Sequence, residues 1–142
     1  MTQHATLPPP LERPPTIPLL LATVYRKAAR LIAQAGHRQT AVDTACARPP
    51  APGALTIVDA LRAAAVLTAG PQPQQDRAMS QLGDYAIYRL AQRLTVCGHG
   101  PFWIDPDSLE EHITAWGDLP RRTTESVVAQ LEAAADASER SV

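Results

Sequence analysis

Few residues in this chain have types and spacings suited to chemistry. Cys97 and His99 flank a single glycine, and Cys46, His37 and His112 are the other groups that could join them. Cysteine and histidine are zinc ligands, but structural zinc sites are built from closely spaced pairs. Only Cys97-Gly98-His99 is close here, so no metal and no cofactor are expected. Cys97 is also a candidate nucleophile with a histidine as its base. Thiolate chemistry needs a base or a positive field that lowers the thiol pKa from about 8.5, and no nucleophile elbow or oxyanion loop surrounds either cysteine. A cysteine-dependent enzyme using Cys97 is therefore the third-ranked function. Phosphate-cradling patterns are missing: there is no GxxxxGK[ST] and no GxGxxG, and Gly98-His99-Gly100 runs into Pro101, which has no N–H to donate. The carboxylate pairs Asp105/Asp107 and Glu110/Glu111 stand at or near a helix start, where acids complement the helix dipole without any catalytic role.

Cationic groups with amide and aromatic neighbours are the remaining candidates. Arg89, Gln92 and Arg93, with Tyr85 and Tyr88, lie on one predicted helix and could meet nucleic acid. Arg121-Arg122-Thr123-Thr124 precedes another helix start, a plausible phosphate contact. Arg26, Lys27 and Arg30 sit off the apolar stripe of the first helix and read as a solvated cationic face. Set against these, the 142 residues hold 13 basic and 14 acidic side chains, a formal net charge of -1, so the chain is not a generally basic nucleic-acid binder. DNA binding through the third helix or the Arg121–Arg122 corner is the second-ranked function.

The elements that must position these groups follow from periodicity. Aromatic residues are only 4% of the chain, so alanine and branched aliphatics must fill the core. Residues 1–16 carry five prolines and read as an extended or disordered arm, with Pro15-Thr16-Ile17-Pro18 in PxxP spacing. Apolar residues at Ile17, Leu20, Leu21, Val24, Ala28, Leu31, Ile32 and Ala35 predict a helix over 17–35, capped by Thr16 and ended by a left-handed Gly36. A proline-interrupted loop follows over 37–54. Thr56 should cap a second helix, with Ile57, Val58, Leu61, Ala64 and Ala65 facing inward, and Gly70-Pro71 should stop it. A third helix is expected over about 74–96, with Met79, Leu82, Ala86, Leu90 and Leu94 inside and Gly83 as a weak point. Asp105-Pro106 is a strong start for a fourth helix, whose Leu109, Ile113 and Trp116 share a face. A fifth begins near Thr123 or Thr124, with Val127, Val128, Leu131, Ala134 and Ala135 inward; residues 138–142 should fray. Five helices and no convincing strand predict an all-α bundle over 17–137.

Three stretches resemble the pattern of one family. Trp116-Gly117-Asp118-Leu119-Pro120-Arg121-Arg122-Thr123 fits a W-[NG]-D-x-x-x-R-T run near the C-terminus of a family of small uncharacterised actinobacterial and actinophage proteins. Residues 28–39 resemble that family's first helix, which ends in a glycine, a bulky ring residue and a glutamine. Gly53-Ala54-Leu55 begins a stretch resembling its central Gly-Ala-Leu helix. Many members have a cysteine just before that point, where this chain has Pro49-Pro50-Ala51-Pro52. The resemblance implies neither a substrate nor a cofactor. Of the 13 basic residues only Lys27 is lysine, which fits a GC-rich genome.

With no long apolar segment and two cysteines, a soluble cytoplasmic protein without membrane contact is expected. The first-ranked function is a non-catalytic interaction or regulatory protein acting through a protein partner or self-association. Trp116, Asp118, Arg121 and Arg122 are the partner-binding candidates, and Arg89, Gln92 and Arg93 the nucleic-acid candidates.

Overall fold

The computed structural model describes residues 17–39, 53–69, 76–120 and 122–141. The proline-rich arm 1–16 with Thr16, most of the 37–54 loop with Cys46, the Gly70-Pro71 stop, the Met79 side chain and Arg121 lie outside the described residues. The fold is an all-α bundle of five helices: α1 (Ile17–Ala35), α2 (Ile57–Ala69), α3 (Asp76–Arg93), α4 (Pro106–Gly117) and α5 (Thr124–Arg140). No described helix is long and apolar enough to cross a membrane.

The central element is α1, which packs along α5 on one side and α2 on the other; α3 lies on α2, and α4 on α3. A helix flanked on two sides buries more than a single stripe. Leu21, Val24, Ala28 and Ile32 are buried as the periodicity predicts, and Ala22, Tyr25 and Ala29 are buried with them. Tyr25, at 1% exposure, is the largest side chain that the stripe omits. Its hydroxyl donates to the Ala86 carbonyl of α3 at 2.7 Å, which satisfies the phenol inside the core. Burial drives its pKa far above the ordinary tyrosine value, against the opposing fields of Arg89 and Arg93. Elsewhere alanine lets the helices approach closely: Ala60, Ala64, Ala65, Ala86, Ala91, Ala134 and Ala135 are all buried.

The helix ends follow local chemistry. Gly36 has φ +94°, the left-handed conformation that a glycine adopts without a steric penalty. Thr56 Oγ1 accepts from Asp59 N at 3.1 Å, and Asp105 accepts from Ser108 N at 3.1 Å with Pro106 at the next position. Thr123 and Ser126 form a reciprocal capping box at the start of α5.

The first helix keeps the bounds expected from sequence, and two other boundaries differ. Ile17 and Pro18 form the first turn of α1, where a proline's missing N–H costs nothing, so the PxxP stretch is helical in its second half. α3 ends at Arg93 because Val96-Cys97-Gly98-His99 closes a two-residue turn. Val96 and His99 exchange both backbone bonds, at 2.8 and 3.0 Å. α5 runs on to Arg140, beyond the limit expected at 137, with Ser138 Oγ bonded to the Ala134 carbonyl at 2.9 Å and Glu139 paired with Arg26 of α1.

Candidate functional site

The three family-like stretches are far apart in sequence and meet at one corner of the bundle. Leu55 N donates to the Gly36 carbonyl at 2.9 Å, and Arg38 N to the Leu55 carbonyl at 2.7 Å. His37 N donates to Thr124 Oγ1 at 3.1 Å, and the Gln39 amide reaches the Gly117 and Leu119 carbonyls, each at 3.3 Å. Trp116 is buried at 6% exposure. Arg122 lies over its ring, 3.7 Å from the guanidinium carbon to the centroid, and Arg122 Nε donates to the Trp116 carbonyl at 3.0 Å. The His37 ring presses against Gly117. Burial lowers its pKa from the ordinary histidine value, and the nearby Asp118 carboxylate opposes that shift. These bonds tie the α1 end, the start of α2 and the α4–α5 turn into one joint. Trp116 and Arg122, two of the partner-binding candidates, make these contacts within the domain, and Arg121 lies outside the described residues. Gln39 is readable in sequence only as part of the family-like pattern, and His37, also a candidate to join Cys97, is placed at the joint instead.

The second group of candidates surrounds the turn after α3. Cys97 is exposed, with φ +53° and Gly98 beside it at +78°, so both central residues of the turn are left-handed. Cys97, His99, Phe102, Trp103, Glu111 and His112 line a depression of about 390 Å³. The His112 ring nitrogen Nε2 bonds the Leu94 carbonyl at 2.7 Å and so caps the C-terminal end of α3. A carbonyl only accepts, so Nε2 carries the proton. His99 packs on Phe102, with ring centroids 5.5 Å apart. Among the described residues neither histidine bonds the Cys97 thiol, and no three histidine, cysteine, aspartate or glutamate side chains converge as metal ligands.

Two surfaces remain with unmet demands. Phe102, Trp103 and Ile104 follow one another at 79%, 70% and 73% exposure. Tyr85 and Tyr88 lie near them on α3, stacked with centroids 6.3 Å apart and planes 12° apart. A shallow depression of about 330 Å³ lies between these tyrosines and Ile104. On its wall, Arg62 of α2 pairs with Asp84 of α3 and Glu110 of α4, each at 3.1 Å, which binds three helices together. The second surface is a cleft between α3 and α5, where the structure brings Arg89, Gln92 and Arg93 to one wall.

Two of the three cations of α1 are engaged within the bundle, and Arg30 is exposed. Arg26 pairs with Glu132 at 2.8 Å, Asp136 at 2.9 Å and also Glu139, all on α5. These bonds hold its guanidinium pKa well above the ordinary value. Lys27 reaches the Leu67 carbonyl at the α2 end at 3.3 Å.

No curated protein and no solved structure matches the chain. A family model does: over residues 16–137, which include all three family-like stretches and every helix except the last turn of α5, the chain belongs to DUF6197, a family of unknown function.

Proposed function

We propose that this is a non-catalytic interaction or regulatory protein of the cytoplasm, docking on a protein partner or a second copy of itself through the apolar surface around Trp103. The supporting observation is the consecutive exposure of Phe102, Trp103 and Ile104. Six aromatic residues serve the whole chain, and four of them (Tyr85, Tyr88, Phe102 and Trp103) stand exposed on this side instead of filling the core. Large aromatics in a contiguous exposed patch are the composition of interface cores. Burying three such side chains recovers about 2 kcal/mol each. The exposed acids Asp105, Asp107 and Glu111 give the patch a polar, negative rim. The arginine-rich composition supports a GC-rich actinobacterial or phage source for the chain.

The test is sedimentation velocity over a wide concentration range, with Trp103 fluorescence followed in parallel. Trp103→Asp is compared with the parent. Association that shifts Trp103 emission to the blue, and that the variant loses while its circular dichroism is unchanged, is the expected result. A parent that stays monomeric, and whose Trp103 fluorine resonance (5-fluorotryptophan label, assigned with Trp103→Phe) is unchanged on adding clarified unlabelled lysate, refutes the reading.

A further inference from the structure

We propose that the cleft between α3 and α5 binds the oxyanion of a small phosphate-bearing ligand, with Arg89 and Arg93 as its cationic arms. The cleft holds about 260 Å³; α3 supplies Tyr88, Arg89, Gln92 and Arg93, Tyr25 forms the floor, and α5 supplies small residues and Ser138. It exists because α3 and α5 hardly touch: each packs on its own neighbours and leaves a recess over α1.

Charge decides what fits. Among the described residues, Arg26, Arg62 and Arg122 have partners, whereas the side chains of Arg30, Arg38, Arg89, Arg93 and Arg140 take no hydrogen bond or ion pair; of these five only Arg89 and Arg93 line this cleft. Among the described residues no carboxylate lines the cleft. The two guanidinium groups stand one helical turn apart, and like charges at that spacing repel. Complementing the α3 dipole explains one cation in the last turn but not a second one beside the same recess. Both arginines line the same recess as the Tyr25 ring, and their positive fields act on its phenol. Paired guanidinium forks match a tetrahedral oxyanion, and the Gln92 amide and the half-exposed Tyr88 add a polar rim for a hydroxylated substituent. The Ser138 hydroxyl proton is already used by the Ala134 carbonyl.

Size narrows the class. Cavities that enclose drug-sized ligands hold roughly 300–1,000 Å³, so this cleft suits a phosphate with one small substituent. A duplex is read by an element that protrudes into its groove, and these arginines line a recess instead. The inference is independent of the docking surface around Trp103.

The test is calorimetric titration with pyrophosphate and with AMP in a phosphate-free buffer at constant ionic strength. The proteins are the parent, the double variant Arg89→Gln/Arg93→Gln, and a single variant at the exposed Arg30 of α1, Arg30→Gln. Saturable binding of either probe, weakened more than about tenfold in the double variant and less than about twofold in Arg30→Gln, is expected. The ligand-free melting temperature of the double variant should equal or exceed that of the parent, because a repulsion is removed. Four results overturn the proposal. One is no saturable binding of either probe at about 10 mM. Another is an equal loss in Arg30→Gln, which would indicate general charge screening. The third is a lower ligand-free melting temperature in the double variant, which would make the arginines structural braces. The last is tighter, Arg89/Arg93-dependent binding of a short DNA duplex, which would assign the surface to nucleic acid.

Discussion

Replacing Gly117 with alanine tests the joint at its tightest point. A Cβ at this position would lie 3.1 Å from His37 Nε2 and 3.2 Å from Ile57 Cδ1, both inside comfortable contact. Neither neighbour can retreat easily. The His37 main chain is held by Thr124 Oγ1, and Leu55 bonds the residues on either side of it. Ile57 is buried at 4% exposure. Overpacking of this kind costs about 1–3 kcal/mol, while exchanging a helical glycine for alanine returns up to about 1 kcal/mol. The net expectation is a loss of about 1 kcal/mol, or about 4 °C in melting temperature for a domain of this size. The assay is urea unfolding of the parent, Gly117→Ala, His37→Ala and the double variant. If the ring is the obstacle, the alanine costs less, or even stabilises, once the ring is gone, and the cycle shows a coupling of about 1 kcal/mol. A Gly117→Ala variant as stable as the parent, with no coupling to His37, would show that the ring moves aside freely and that the joint is not fixed by this contact.

Three further outcomes follow from single residues. Burial lowers the His37 pKa in the folded state, so the unfolded chain binds the extra proton first. That share of stability is complete above the ordinary value near 6.5 and declines as pH falls through it toward the lower folded value; His37→Gln should flatten the decline in pH-dependent urea midpoints. Cys97 has φ +53° in a two-residue turn that favours Asn-Gly, so Cys97→Asn should stabilise by about 0.5–1 kcal/mol in thermal melts, and a loss would mean the thiol makes a contact that offsets its strain. A Cβ on Gly83 would meet the Ala65 Cβ at an ordinary 3.5 Å, so Gly83→Ala should stabilise the fold by about 0.5–1 kcal/mol through helix propensity, seen as a higher melting temperature.

Local signals carried the fold. The first helix runs over 17–35 as its periodicity and Gly36 predict, and Asp105-Pro106 and Thr123 start α4 and α5 as their side-chain chemistry requires. What the sequence missed depends on distant partners. α5 continues to Arg140 with Glu139 held by Arg26, more than a hundred residues earlier in the chain. Tyr25 is at home in the core because the Ala86 carbonyl receives its proton, and no pattern within the first helix reveals that acceptor. The same limit governs the candidate sites. Arg26, Arg89 and Arg93 look alike as exposed helical arginines in sequence, yet three carboxylates surround the first and, among the described residues, none lines the cleft beside the other two. Trp116 and Arg122 are conspicuous in sequence, and the joint gives both a structural use through contacts that no local pattern reveals.

Unmet physical demands separate the joint from the two surfaces. At the joint, Gln39, Arg122 and Thr124 have hydrogen-bond partners within the fold, Arg122 covers the Trp116 ring, and the His37 ring lies against Gly117. Among the described residues, the apolar area around Trp103 has no cover and the two positive charges of the α3–α5 cleft have no counter-charge. Tyr88 borders both the depression beside Ile104 and the cleft, so a substitution there disturbs two surfaces at once and separates nothing. Trp103 and Arg93 each belong to one surface only. Trp103→Asp that abolishes association while leaving pyrophosphate titrations unchanged, together with Arg93→Gln that does the reverse, would establish two independent sites on one bundle. Loss of both properties in either variant would instead mean that the surfaces act as one, with ligand and partner reporting the same equilibrium.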